Sequence, residues 1–222
     1  MELDKILSIP MSLWVSLHFF PFKEAIKLPV LVRYNTKCKS LKGTIGLNSN
    51  GGGKSRLVIG FGGVGIYDKK YQRSILQIDG RIELPEGKTR LGTCAKLVVG
   101  KNATLTFGKN FCNTAGMTII CNDRIKFGDN VLVSWETMIM DEDWHQLQNT
   151  GTGKIHEKHK PISIGNNVWI CYRSTILKGT IIPNGCTVAA GAVVSGKFET
   201  QNSILAGVPA KIIRNNITRH IE

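Results

Sequence analysis

The sequence predicts an all-β fold, a parallel β-helix of hexapeptide repeats, and three observations predict it. Six consecutive six-residue phrases run from Ile164 to Glu199, each opening on an aliphatic β-branched residue: Ile164, Ile170, Ile176, Ile182, Val188 and Val194. Four places later, in five of the six, stands a small residue or a valine: Val168, Ser174, Thr180, Cys186 and Ala192. The chain also holds 24 glycines among 222 residues, as sharp corners require. Neither a 3.6-residue nor a 2-residue period generates a six-residue phrase. A β-helix does: each hexapeptide supplies one short strand and one corner, and three make a triangular coil. The opening aliphatic points into the coil, and the small residue fits the tight interior near the bend. Each coil buries its interior only against its neighbours, so the array must be long and capped.

The elements follow in chain order. Residues 1–29 differ from the rest. Met11 to Phe22 reads MSLWVSLHFFPF, carries Trp14, Phe19, Phe20 and Phe22, and is punctuated by Pro10 and Pro21. This predicts a short N-terminal helix, too short and too interrupted to span a bilayer. Two uses are open: docking on the β-helix end or a neighbouring subunit, and peripheral contact with a membrane surface, aromatic side down.

From Pro29 the chain turns strand-rich. Ile45-Gly46, Val58-Ile59-Gly60, Ile78-Asp79-Gly80, Val99-Gly100 and Phe107-Gly108 are steps of the repeat type at irregular spacing, so the early coils carry insertions. Gly51-Gly52-Gly53 and the Gly60–Gly65 stretch read as loops. Lys54-Ser55 after three glycines has the ending of a Walker-type phosphate loop. The leading glycine of that motif would fall at Asn48 and no helix follows, which rules it out.

Regular phrasing returns at Phe127, Val133 and Ile139, and the next slot of six is His145. There the phrase breaks. Residues 146–161, QLQNTGTGKIHEKHKP, are polar and carry no repeat. An excursion loop that interrupts a solenoid immediately after a histidine marks a functional site. The array resumes at Ile162, and a tail follows. The expected organisation is an N-terminal segment (1–29), a β-helix domain (30–203, with its loop at 146–161) and a C-terminal tail (204–222).

Composition narrows the function. Net charge is +13, with 18 basic and 7 acidic residues in 1–110 against 11 and 9 in 111–222. A basic half attracts an anionic partner such as a polymer or lipid headgroup, and its plain alternative is a solvated lysine-rich surface. Nucleic acid is disfavoured, because no recognition helix, zinc finger or stacking-aromatic motif is present. The six cysteines form no CxxC pair and read as reduced thiols of a cytosolic protein. The first residues, with Glu2 and Asp4 in place of a basic n-region, predict no signal peptide.

The repeats, the Trp-bearing phrase IGNNVWI at 164–170, the AAGAVV step at 189–194 and the tail AGVPAKIIR at 206–214 together resemble the hexapeptide-repeat acyltransferases. The branch is that of maltose, galactoside, capsule and lipopolysaccharide O-acetyltransferases and xenobiotic acetyltransferases. The resemblance covers roughly residues 90–215 well and the first 90 poorly. It implies a left-handed β-helix and a homotrimer with active sites between subunits. It also implies acetyl-coenzyme A as acyl donor without a metal, and a sugar or polysaccharide acceptor. The basic half and the aromatic segment suggest that this acceptor is anionic or lipid-linked, which would put the enzyme in the cytoplasm, at the inner face of the membrane.

The resemblance places the catalytic base on His145, which follows the phrase Phe127-Gly128-Asp129-Asn130. An imidazole titrating near ~6.5 suits proton removal from an attacking hydroxyl around neutral pH. Asp141, Glu142 and Asp143 crowd before it. Asp143 is the candidate to orient the ring, a solvated acidic turn being the alternative. Asn113 is carried over as an acceptor-sugar contact, or else is a corner asparagine. Trp144 and Trp135 offer an apolar wall or ordinary packing. For the cofactor, Ala189, Ala190, Gly191, Ala206 and Gly207 leave room for a pantetheine arm, Lys211 and Arg214 present cations to its phosphates, and Trp169 and Ser174 border it. Cys112, Cys121 and Cys171 have no adjacent histidine, which favours direct attack over an acyl-enzyme. The competing readings are an N-acetyltransferase on an amino sugar or xenobiotic, a γ-class carbonic anhydrase needing three converging histidines, and a non-catalytic β-helix scaffold.

Overall fold

The computed structural model describes residues 2–47 and 55–220. The glycine-rich stretch considered as a phosphate loop lies outside the described residues, apart from the backbone of Ser55. Among the described residues the strands form three sheets of nine, seven and six strands, and every third strand falls in the same sheet. That is a triangular prism wound in seven coils, and we call its sides the first, second and third faces in that order.

The register shows how the phrases build it. Cys112, Leu132, Trp169, Thr187 and Ile204 stack on the first face. Val98, Ile120 and Met140 stack on the second. Arg81, Thr104 and Arg124 stack on the third. Strand partners are parallel throughout the coils. The six opening aliphatics from Ile164 to Val194 are at most 2% exposed, and Val168, Ser174, Thr180, Cys186 and Ala192 at most 1%. Interior hydroxyls are tolerated because each meets a backbone carbonyl of its own corner. Ser174 Oγ donates to Cys171 and Ala189, and Thr180 Oγ1 to Leu177 and Val194.

The three corners have different chemistry. At the third–first corner Asn110, Asn130 and Asn167 take φ of 57–58°, a conformation that asparagine tolerates. Their side chains form a ladder, Asn110 Nδ2 to Asn130 Oδ1 at 2.9 Å and Asn130 Nδ2 to Asn167 Oδ1 at 3.0 Å. Phe107, Phe111 and Phe127 pack inside this corner with ring centroids 4.7–5.5 Å apart. At the second–third corner Gly80 sits so close to the Gly100 backbone that no Cβ fits.

Coil two carries a long insertion, residues 60–74, between its first two strands, as the irregular early spacing predicts. The N-terminal segment is three helices rather than one: α1 (Glu2–Leu7), α2 (Ile9–Phe19) and α3 (Phe22–Ala25). The breaks have a physical cause, since Pro10 falls in the first turn of α2 and Pro21 caps α3. Ser8, Ser12 and Ser16, spaced one turn apart and fully buried, line the inner side of α2. Their hydroxyls bond the free edge of the first strand: Ser12 Oγ takes the Val32 N–H and donates to its carbonyl, Ser16 Oγ donates to the Val30 carbonyl, and Ser8 Oγ takes the Tyr34 N–H. A helix thus satisfies a strand edge that would otherwise be open. At the other end, Ser203–Gly207 joins the first face and Ala210–Asn215 folds back antiparallel onto it. The expected tail is therefore a hairpin that closes this face.

Candidate active site

The excursion predicted after His145 leaves the prism at the second–third corner of coil five, between strands Met138–Met140 and Ile162–Ile164. Residues 143–161 are exposed throughout. They form an arm whose two limbs bridge antiparallel at Glu142–His159 and Gln148–Ile155. Asn149 closes its tip, taking the N–H groups of Gly151 and Thr152 on its side chain. His145 lies on the outgoing limb, exposed, with its backbone N–H on the Asp143 carbonyl at 2.8 Å. Trp144 beside it has φ of 65° and is 56% exposed.

The three acids before His145 divide the work of fixing the arm's root. Asp141 is fully buried and accepts the N–H groups of Asn122 and Asp123 at 2.8 and 3.0 Å. Burial holds its carboxyl above the usual carboxylate range, against the pull of those donors. Glu142 is buried between Asn122 Nδ2 and Lys158 Nζ, the latter at 3.2 Å. Asp143 meets Lys178 Nζ at 2.5 Å, and the same ammonium bonds the Glu157 carbonyl at 2.6 Å. Lys178 therefore ties both limbs to coil six. The contact expected between Asp143 and the imidazole is not among the hydrogen bonds of the described residues; the carboxylate meets Lys178 instead. Sequence reasoning missed Lys178, which stands 35 residues from Asp143, and no local signal pairs them.

The cofactor-type residues lie elsewhere on the prism. Ala189, Ala190 and Gly191 form the first–second corner of coil seven, between strands Thr187–Val188 and Val193–Val194. A Cβ on Gly191, where φ is 71°, would meet nothing within 4 Å. Ala206 and Gly207 end the next strand of the first face, and Lys211 and Arg214 are exposed on the returning strand, Arg214 paired with Ile204. A small-residue corner with open space above it and two free-standing cations nearby fits a long, phosphate-bearing ligand. Trp169 sits outward on the first face, with Nε1 on Ser134 Oγ at 3.2 Å.

Two expectations need correction. Ser174 is fully buried, with its hydroxyl on two carbonyls, so it holds a corner and cannot border a cofactor. Asn113 is 2% exposed. Its amide takes the Gly92 N–H and donates towards the carbonyls of Ala115, Val133 and Ser134, so it braces the first–second corner rather than reaching an acceptor. Trp135 stacks at a tilt on Tyr172, centroids 5.3 Å apart, on that same corner. The coil-two insertion folds over it lower down. There Tyr67, Gln72, Arg73, Cys94, Lys96 and Glu136 enclose about 330 Å³, a space that the sequence did not reveal. Among the described residues no group of three or more histidine, cysteine, aspartate or glutamate side chains converges as a metal site.

Comparison with known proteins agrees with this architecture. No family model matches the chain. The chain is 33% identical over 119 residues to galactoside O-acetyltransferase of Escherichia coli (strain K12), an overlap of 50% of this chain and 54% of that protein. It is 30% identical over 146 residues to the "Putative lipopolysaccharide biosynthesis O-acetyl transferase WbbJ" of the same organism, covering 52% of this chain and 74% of WbbJ. It is also 30% identical over 199 residues to an uncharacterized 24.8 kDa protein in the cps region of Klebsiella pneumoniae, covering 89% and 84%. The crystal structure of the polysialic acid O-acetyltransferase OatWY shares the fold, with a TM-score of 0.51 and 18% identity over 84% of this chain and 92% of that one. The fold is the left-handed parallel β-helix, and the chain belongs to the hexapeptide-repeat acyltransferase family.

Proposed function

We propose that the protein is an acetyl-coenzyme A-dependent O-acetyltransferase acting on a hydroxyl of a sugar or polysaccharide precursor, with His145 as general base. The observation that carries this reading is the arm: a coil of an acyltransferase β-helix is interrupted by a solvent-exposed arm on a braced root, with His145 on its outgoing limb and His156 and His159 on the returning one. The donor supplies an acyl group activated as a thioester. His145 takes the proton of the acceptor hydroxyl as its oxygen attacks the thioester carbonyl, and the departing thiolate is reprotonated. No residue of the chain is acylated. Trp144, next to the base, offers an apolar surface to the acceptor ring. Arg73 and Lys96 on the 330 Å³ space suit an anionic acceptor.

The reading includes a homotrimer. His145 stands at the second–third corner and the cofactor-type residues at the first–second corner, so one chain does not bring them together; a neighbouring copy does. The outward side chains support this assembly. The first face presents Leu132, Trp169 and Ile204 and the second Val98, Ile120 and Met140, whereas the third presents Arg81, Arg124 and Lys126. Lower down the first face also carries Arg56, Lys88 and Arg90 and the second Lys96, so it is the uncharged upper coils of these two faces, beside a charged third, that suit cyclic closure about the first–second edge. No described helix is long and apolar enough to cross a membrane; the reading places the protein in the cytoplasm.

The test is thiol release from acetyl-coenzyme A across a panel of glycans and nucleotide sugars. The wild-type protein should acetylate a member of that panel, and His145→Ala should lower kcat/KM by about 10²–10⁴ with coenzyme A binding retained. Equal rates for the two proteins would remove the base from His145.

A further inference from the structure

The helical cap presents two contrasting sides. Its inner side is the serine row on the first strand. Its outer side is apolar: Leu3, Ile6, Trp14, Leu17, Phe22 and Ile26 are 45–68% exposed. Trp14 and Leu17 lie on the side of α2 opposite Ser12, as the 3.6-residue period dictates. Large apolar side chains concentrated this way on one small element mark an interaction surface.

The charge around it points to the occupant. Residues 1–42 hold seven lysines and arginines against three carboxylates, and one arginine, Arg33, is buried on Asp4. Lys5, Lys23 and Lys27 are exposed on or beside the helices. Lys39 and Lys42 share with Trp14 and His18 a depression of about 300 Å³. An indole beside ammonium groups, on short helices that cannot cross a bilayer, is the composition of an element that lies in an anionic headgroup layer. A purely apolar protein partner would leave those ammonium groups without counter-charge.

We infer that α1–α3 seat the protein on an anionic bilayer, with the coils rising from it. The helices cover the open edge of coil one, and the arm bearing His145 leaves coil five. Four rungs at ~4.8 Å put the reactive arm about 19 Å from the seat. Resting on the proposed acyl transfer, this names the acceptor class: a glycan attached to a lipid, acetylated a few sugar units out from its anchor.

The experiment pairs binding with turnover. Wild-type protein should sediment with vesicles of equal parts phosphatidylglycerol and phosphatidylcholine, be released by ~0.5 M salt, and stay in solution with phosphatidylcholine alone. The variant Leu17→Ser/Phe22→Ser, altered only at exposed positions, should bind at least about tenfold more weakly with an unchanged circular dichroism spectrum and unchanged rate on a soluble glycan. The same glycan on a lipid in vesicles should be acetylated faster than the free glycan by the wild type, and that gain should vanish in the variant. Absence of vesicle binding, equal binding by the variant, or disulfide cross-linking of Leu17→Cys to a second copy in solution would each overturn the inference. If neither glycan form is acetylated, the acyl-transfer reading fails, while sedimentation still decides the bilayer seat.

Discussion

At the scale of single residues, the cysteines separate two chemistries for acyl transfer. Cys171 is half-buried on coil six, and burial pushes its thiol up to about 11. Cys121, inside coil four beside Asp141, is pushed higher still, with burial as the main cause. A raised thiol stays protonated at neutral pH, and the protonated form is not the nucleophile. Cys171→Ala should therefore keep activity within about twofold, measured by thiol release. Alkylation of Cys171 by iodoacetamide should stay slow until the solution approaches the raised value. A dead Cys171→Ala variant that still folds would restore a covalent acyl-enzyme. Ser174 teaches a related lesson. The repeat rule placed it inside the coil, while family resemblance placed it against the cofactor. The fully buried hydroxyl follows the repeat, because the interior slot four places after the opening aliphatic leaves no path to the surface.

At the scale of elements, the arm depends on contacts that span the sequence. Lys178 reaches back to Asp143 and Glu157. Asp143 and Glu157 are exposed and the Lys178 side chain is partly so, at 19%, and methionine keeps the apolar stem, so Lys178→Met should cost about 1 kcal/mol of stability in a denaturant titration. The limbs would then be untied. Limited proteolysis within 146–160 should accelerate, and kcat should fall about ten- to a hundredfold through misplacement of the base. Unchanged proteolysis would show that Asp141 and Glu142 hold the root without it. This division explains what could be read from the chain beforehand. Phrases of six state which residues face inward, and they name the break at His145. They say nothing about pairings across 20 or 35 residues, such as Glu142 with Asn122 or Asp143 with Lys178, because those depend on which coil stacks over which corner. The coil-two insertion escaped detail for the same reason. Its Tyr67 meets Gly116 two coils further on.

At the scale of the whole molecule, the distribution of outward side chains sets the expected assembly. Met140 ends an apolar row with Val98 and Ile120 on the second face. A carboxylate there would be buried without a partner in a closed assembly. Met140→Glu should convert a three-copy species in sedimentation velocity into single chains, and turnover should be lost with it, since the base and the cofactor corner would be parted. The same substitution on the charged third face, at Thr106, should leave the sedimentation unchanged. A wild-type protein that sediments as one chain yet turns over substrate would end the trimer reading.

The three serines of α2 carry a consequence for how such chains meet one another. The strand they cover, Val30–Val32, is the outermost rung of the first face at this end and pairs with a neighbour on one side only, so it is a ready template for another chain's last rung. Peeling the helices away would bare that template, and molecules would then be free to elongate tip to tail into filaments. The polar stripe is thus a guard against polymerisation, built from hydroxyls short enough to mimic the missing next strand.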